Sequence, residues 1–156
     1  MREILRRAAL GATLIAATAG GLTFAAGPAS AAGWGCSGSE VSGSPYAVTT
    51  DSGTVYSYAH LFYDSSTGMN CAVNVKAGSL YGVASYTGVT LYECAQDTPG
   101  TCTGIEVAPD DSTTFKYYAG PVSVPGRGHC VQLWAETDNA ARTSYATYDS
   151  YQGFHC

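Results

Sequence analysis

Six cysteines constrain this chain most strongly, because all of them follow an N-terminal stretch with the features of an export signal. In an exported chain an even number of cysteines predicts a disulfide framework. The spacing does not favour a zinc site, since no C-x-x-C motif occurs in the sequence. Six cysteines allow many pairings in principle. Sequence proximity favours Cys94–Cys102 across a Pro-Gly turn, and we predict Cys36–Cys71 and Cys130–Cys156 for the others.

Residues 1–31 have the parts of a secretory signal peptide. Basic residues open the segment, a stretch of small apolar residues follows, and an Ala-Ser-Ala cleavage site ends at Ala31. Arg6-Arg7 leaves a twin-arginine signal as an alternative to general secretory export. We therefore predict a signal peptide over residues 1–31 and a single disulfide-stabilised β domain over residues 32–156. We expect it to be secreted and extracellular, with no membrane association after signal removal.

The charge balance becomes strongly acidic once the signal is removed. Eleven acidic residues remain against four basic ones, for a net charge of −7. A nucleic-acid-binding protein needs clustered Lys and Arg to displace counterions from phosphates, and anionic lipid surfaces make the same demand. The sequence therefore predicts no nucleic-acid partner. The remaining basic residues are scattered: Lys76, Lys116, Arg127 and Arg142.

The residue pattern is typical of β-strands. Residues 54–63 alternate with a period of two, so that one set of side chains is aromatic and the other is small or apolar. Residues 69–76 sort in the same way, and we expect a strand break at Gly120-Pro121. β-Branched residues and tyrosine are abundant, and helical periodicity is nearly absent. The sequence therefore predicts an all-β fold, a small antiparallel β-sandwich or barrel of about eight strands, stapled by three disulfides.

No pattern in the sequence points to catalysis. Gly128-His129-Cys130 superficially resembles the histidine region of chymotrypsin-like proteases, but no nucleophile motif follows it and no G-x-S-x-G motif occurs. A metal site built from His60, His129, His155 and a carboxylate is an alternative. Two of these histidines lie beside cysteines, where packing explains them. We predict no enzyme activity, no catalytic residue, no metal and no cofactor.

Aromatic residues provide the best binding-surface hypothesis. All twelve tyrosines follow the signal peptide. Tyrosine also covers sheet faces, so core packing is the competing interpretation. Alternation places four side chains on one face of the strand at residues 54–63, and two tryptophans lie outside it. The candidate binding residues are Tyr56, Tyr58, His60, Phe62, Trp34 and Trp134.

Four motifs, in order along the chain, resemble the spore-associated protein A family of small secreted actinobacterial proteins. The resemblance implies export and association with the spore surface, with no assigned enzymatic activity and no catalytic residues to carry over. It also implies a framework matching Cys36, Cys71, Cys130 and Cys156, with Cys94 and Cys102 as an added pair on an inserted loop. The motifs are Thr67-Gly68-Met69-Asn70-Cys71-Ala72-Val73, Tyr118-Ala119-Gly120-Pro121-Val122, Gly128-His129-Cys130-Val131 and His155-Cys156.

The leading functional hypothesis is a secreted, non-enzymatic structural or adhesive protein of the cell or spore surface. The partners expected are cell-wall or spore-surface components, with glycan as one candidate class. One alternative is a carbohydrate-binding module that uses an aromatic face. A second is an inhibitor-like domain that presents the Cys94–Cys102 loop. The oligomeric state is left open.

Overall fold

A computed structural model describes residues 33–103, 106–107 and 111–156. The predicted signal peptide, residues 1–31, lies outside these ranges. The described residues contain ten strands, two short 3₁₀ turns (Gly33–Gly35 and Gly78–Leu80) and no α-helix, so the all-β prediction is confirmed. The strands are β1 (Ser39–Glu40), β2 (Tyr46–Thr49), β3 (Val55–Asp64), β4 (Met69–Lys76), β5 (Ser85–Glu93), β6 (Glu106–Val107), β7 (Asp111–Phe115), β8 (Tyr118–Pro125), β9 (Val131–Asp138) and β10 (Tyr145–Asp149).

The strands form a nearly closed antiparallel barrel. Eight of those described follow the order β6-β5-β9-β10-β2-β3-β4-β8, while β1 pairs with β3 and β7 pairs with β5. β8, at one end of this path, approaches β5 and the β7 strand paired with it, and the Gly120 backbone N–H on β8 donates to the Asp111 carboxylate on β7 at 2.6 Å. Closure of this kind removes exposed sheet edges, which would otherwise pair with other chains. The prediction of a small antiparallel β-sandwich or barrel of about eight strands is therefore confirmed, and the structure is the barrel.

All three disulfides join the cysteines that the sequence predicts. Cys36–Cys71 fastens the N-terminal segment to β4, and Cys94–Cys102 closes a short loop after β5. Cys130–Cys156 ties the C-terminal tail to the start of β9. No free cysteine occurs among the described residues.

One half of the barrel interior is apolar. Leu61, Leu91 and Leu133 are fully buried there, surrounded by valines and alanines. Burying a leucine side chain of this kind stabilises the fold by about 2 kcal/mol. The period-two alternation of the strands accounts for this apolar half, because alternate residues of each strand point inward.

The other half of the interior is polar, and its side chains are hydrogen-bonded to one another and to the backbone, although Asn74 Oδ1 has no partner. The Asn74 amide Nδ2 donates to the backbone carbonyls of Gly88 and Glu136, both at 3.0 Å, and to Thr137 Oγ1 at 3.1 Å. Ser57 Oγ and Thr137 Oγ1 are 2.8 Å apart. Buried polar groups are tolerated when they are paired in this way, so the network fixes how β3, β4 and β9 pack.

Lys76 ends the polar half at one mouth of the barrel. The residue is only 2% exposed. Its ammonium donates to the carbonyls of Val83 at 2.7 Å and Phe115 at 3.1 Å, and also to Ser85 Oγ. Burial lowers the pKa of Lys76 below its ordinary value, because desolvation disfavours the charged form.

The expected strand break at Gly120-Pro121 is wrong. β8 continues through this pair from Tyr118 to Pro125, and the register against β4 shifts between Ala72 and Asn74 instead. Such an irregularity absorbs a residue that cannot join the regular ladder. Gly120 has a φ of 97° and lies against the Ala72 carbonyl, where a larger residue would overlap it. The interruption between the two strands lies instead at residues 116–117, between β7 and β8.

No helix in the described part of the chain is long and apolar enough to cross a membrane.

Candidate functional site

The candidate site lies on the outside of β3 and β4, under the N-terminal segment. We call Trp34, Tyr58, His60 and Phe62 the outer aromatic face. The ring centroids of Trp34 and His60 are 4.6 Å apart, and His60 stacks on Phe62 at 6.3 Å with an interplanar angle of 11°. Trp34 is 37% exposed and Tyr58 is 39% exposed, whereas Phe62 is buried. Four of the six predicted binding residues are therefore on one face.

A small apolar cluster supports the outer aromatic face from beneath. Phe62 packs there with Val73, Val75 and the Cys36–Cys71 disulfide, and Tyr118 covers one side. These valines point outward from the barrel and are nevertheless buried, because the disulfide-tethered segment lies over them. The outer face consequently has a core of its own, separate from the barrel interior.

Trp34 is held in an uncommon backbone conformation. Its φ is 60°, within the left-handed region that large residues rarely adopt. Two neighbouring contacts keep it there: Gly35 lies close to Pro121, and Cys36 is bonded to Cys71. Strain of this type persists only where the surrounding structure determines it, and it concentrates at functional positions.

Glu40 adds a carboxylate beside these rings. β1 pairs with β3 so that Glu40 lies opposite Phe62, and its Oε1 is 2.7 Å from His60 Nδ1. The same oxygen accepts a hydrogen bond from Ser44 Oγ at 2.8 Å. The carboxylate thereby fixes the orientation of the imidazole under Trp34.

Tyr56 does not lie on the outer aromatic face, so its predicted placement is wrong. Ser57 pairs with Val48 and Val55 pairs with Thr49, which leaves Tyr56 as an extra residue of β3 without a partner on β2. This bulge changes the alternation. Tyr56 packs against the barrel core and donates its hydroxyl to Ser144 Oγ at 3.2 Å.

Trp134 also lies away from the outer aromatic face. It is on β9, separated from β3 by β10 and β2, and it pairs with Thr90 and Asp149 on either side. Alternation on β9 buries Val131 and the other odd-numbered residues, so Trp134 is half-buried on the outside of the barrel. The two tryptophans therefore belong to different surfaces.

The three histidines are dispersed over the barrel. His60 contacts Glu40, His129 Nδ1 is 3.2 Å from the Cys94 carbonyl, and His155 Nε2 is 2.8 Å from the Tyr46 hydroxyl. In the described residues no group of three or more His, Cys, Asp or Glu side chains could hold a metal ion.

The Cys94–Cys102 loop rests partly on the C-terminal tail. Gly100 and Gly153 form an isolated antiparallel bridge, with N···O distances of 3.2 and 2.7 Å. Gln96 braces the loop from inside by donating to the Thr101 carbonyl at 2.7 Å. Residues 97–99 remain exposed at its tip.

The C-terminal tail contains a titratable contact that sequence reasoning did not identify. The Tyr46 ring stacks on Tyr148 at 4.9 Å and meets Phe154 edge-on at 5.6 Å. Burial is the main reason that the pKa of Tyr46 rises to about 12, so its hydroxyl stays protonated. Burial lowers the pKa of His155 below the ordinary value of 6.5.

Stability is expected to fall as the pH drops below about 6.5, with His155 as one cause. The depressed pKa means that the unfolded chain binds this proton at a higher pH than the folded chain does, so protonation favours unfolding. Urea unfolding at several pH values should show a weaker dependence for His155→Gln than for the parent protein. Tyr151→Ala, an exposed change in the same tail, should retain the parent dependence. Equal slopes for the parent protein and His155→Gln would contradict this assignment.

The fold and the site define a small, disulfide-linked antiparallel β-barrel with an aromatic patch on its outer surface. The chain is 34% identical over 150 residues to a curated protein of Streptomyces coelicolor named spore-associated protein A, covering 89% of this chain and 86% of that protein. The chain therefore belongs to the spore-associated protein A family, as the ordered motifs indicate. No family model matches the chain, and no solved structure matches it.

Proposed function

We propose that this protein is a non-enzymatic structural or adhesive component of the cell or spore surface, and that it attaches through the outer aromatic face. The relative from Streptomyces coelicolor is named for its association with spores. The observation that favours this particular face is the exposed Trp34, held by a disulfide-tethered segment.

The outer aromatic face has the physical properties of an attachment site. Large aromatic side chains provide most of the energy at protein contact surfaces, and tryptophan is the most enriched. Trp34 is already held in contact with the His60 ring, so less conformational entropy is lost when it binds. An exposed ring over a pre-formed apolar cluster is therefore suited to a solid or polymeric surface.

A non-enzymatic role is supported by the order of Ser44, Glu40 and His60. These residues have the side chains of a hydrolase triad, but the carboxylate lies between the hydroxyl and the imidazole. A nucleophilic serine must contact the histidine, which in turn contacts the acid. Ser44 Oγ instead accepts the Leu61 N–H at 3.0 Å, so the arrangement braces the chain between β1 and β2 against β3.

Carbohydrate recognition is a second candidate, favoured by one specific juxtaposition. An exposed indole beside a carboxylate offers both a stacking surface and a hydrogen-bond acceptor for sugar hydroxyls. Trp34 and Glu40 provide that pair around His60. A glycan array probed with the parent protein and with Trp34→Ala would distinguish glycan binding from adhesion to a protein layer.

Co-sedimentation tests the attachment proposal directly. The purified protein is mixed with spores and with purified cell walls of Streptomyces coelicolor, and the bound fraction is measured after centrifugation. We expect a saturable bound fraction on at least one of these materials. Recovery of all the protein in the supernatant would contradict the proposal.

A further inference from the structure

A cavity of about 280 Å³ opens at the mouth of the barrel opposite Lys76. Its inner wall is formed by Tyr63 on β3 and Asn70 on β4, which are cross-strand partners. The Pro-Gly turn after β8 and the disulfide-tethered tail complete it. Barrel mouths are a common place for ligand sites, and the volume is near the lower end of about 300–1,000 Å³ for such sites. The lining residues are Val41, Tyr63, Asn70, Gly126, Gly128, His155 and Cys156.

Asn70 is the unusual residue of this cavity. It is 1% exposed, and its amide nitrogen has no hydrogen-bond partner, unlike the fully engaged amide nitrogen of Asn74. A buried donor without a partner is destabilising by about 1–3 kcal/mol. Gly126 packs so closely on this amide that any side chain at that position would overlap it. The fold thus keeps an unpaired donor in a residue that lines the cavity.

His155 forms the opposite wall. Its Nε2 faces the Tyr46 hydroxyl at 2.8 Å. When the hydroxyl donates to Nε2, the neutral imidazole carries its proton on Nδ1 and offers a second donor. The Cys130–Cys156 bond holds this residue over the mouth of the barrel.

The remaining lining selects against charged ligands. Among the described residues, no Asp, Glu, Lys or Arg side chain lines the cavity, and Val41 and Tyr63 provide apolar contact. An anionic ligand would be desolvated there without a basic side chain to pair with it, and a cationic group cannot accept a hydrogen bond from the Asn70 amide. A carbonyl oxygen is the best match for Asn70, because it accepts hydrogen bonds and brings no proton that needs an acceptor of its own.

We propose that the barrel-mouth cavity binds a small uncharged ligand with an acyl-amide group, specifically an N-acetylated amino sugar unit. Its carbonyl oxygen pairs with the Asn70 amide, its methyl group packs on Val41 and its ring lies against Tyr63. This site is separate from the outer aromatic face, and the proposal does not depend on attachment through that face.

Nuclear magnetic resonance of the ¹⁵N-labelled full-length domain tests this site with N-acetylglucosamine as the probe. We expect saturable shifts of the Asn70 side-chain amide and the His155 ring, and no saturable shift with glucose. Val41→Phe should fill the cavity without burying a charge and weaken binding at least tenfold. Asn70→Asp should also abolish the shift of the His155 ring, because it removes the donor. Val55→Phe, a similar enlargement at the far end of β3, should leave binding unchanged.

Several outcomes of the same resonance experiment would contradict the proposal. Unmoved Asn70 and His155 signals would overturn the proposal, and so would equal responses to glucose. Shifts confined to Trp34 and Tyr58 would overturn it as well, because they would place the sugar on the outer aromatic face. Unchanged binding by Val41→Phe would show that the probe does not occupy the cavity. The two proposals can fail independently. A protein that binds the sugar in the cavity but does not attach to spores would contradict only the attachment proposal, and one that attaches to spores but does not bind the sugar would contradict only the cavity proposal.

Discussion

Replacing Cys36 and Cys71 together by serine is expected to lower the free energy of unfolding by about 4 kcal/mol. The bond joins residues 35 positions apart, so its removal restores considerable conformational freedom to the unfolded chain. The loss also reaches the folded state, because the bond is part of the apolar cluster under Phe62. Small exported domains often owe most of their net stability to such bonds.

The same double substitution should release Trp34. Once residues 33–36 are untethered, the left-handed conformation at Trp34 loses the constraint that maintains it. We expect the tryptophan fluorescence of the native state to shift toward that of a hydrated indole, while denaturant unfolding shows the lower stability.

A matched control is available in the Cys94–Cys102 pair. These residues are only 8 positions apart, and the loop-entropy model predicts about 2.5 kcal/mol for their removal. That variant should leave the native fluorescence unchanged. Equal losses of stability for the two pairs, or an unchanged Trp34 environment without Cys36–Cys71, would contradict the role assigned to the N-terminal bond.

Lys76→Met is expected to lower the free energy of unfolding by about 3 kcal/mol. The substitution removes one donor group and leaves three acceptors without it, one of them buried and two part-buried. A buried acceptor without a partner costs about 1–3 kcal/mol. These acceptors are the carbonyls of Val83 and Phe115 and the hydroxyl of Ser85. Part of this loss is offset, because the parent protein pays a desolvation cost for burying the ammonium and an apolar methionine does not.

Urea unfolding of Lys76→Met beside Lys116→Met provides the measurement. Lys116 is exposed in the turn between β7 and β8, so its substitution should change stability by less than about 0.5 kcal/mol. A Lys76→Met protein as stable as the parent would show that the buried ammonium contributes nothing net to the barrel.

Strand positions and the Cys94–Cys102 bond could be predicted from the sequence because they depend on local signals. Alternation identified β3 and β4, and spacing identified Cys94–Cys102. The sequence could not determine which side of β4 faces inward. Asn74 and Lys76 point into the barrel, while Val73 and Val75 point outward beneath a distant segment. Hydrophobicity alone would favour the opposite orientation.

The errors at the candidate site have a common cause. The alternation of β3 predicts that Tyr56 lies on the outer aromatic face. A bulge in the pairing with β2, between Val48 and Thr49, places it on the other side. A bulge depends on two strands together, so one strand's pattern does not show it. The barrel-mouth cavity is similarly non-local, since it joins Val41, Asn70 and His155 from three parts of the chain.

The most direct test of the account compares Trp34→Ala with Trp134→Ala in the spore and cell-wall co-sedimentation assay. Both substitutions remove one indole from the barrel exterior, but only Trp34 belongs to the outer aromatic face. We expect Trp34→Ala to weaken attachment at least tenfold and Trp134→Ala to bind like the parent protein. Full attachment by Trp34→Ala, or equal losses in the two variants, would contradict attachment through this face.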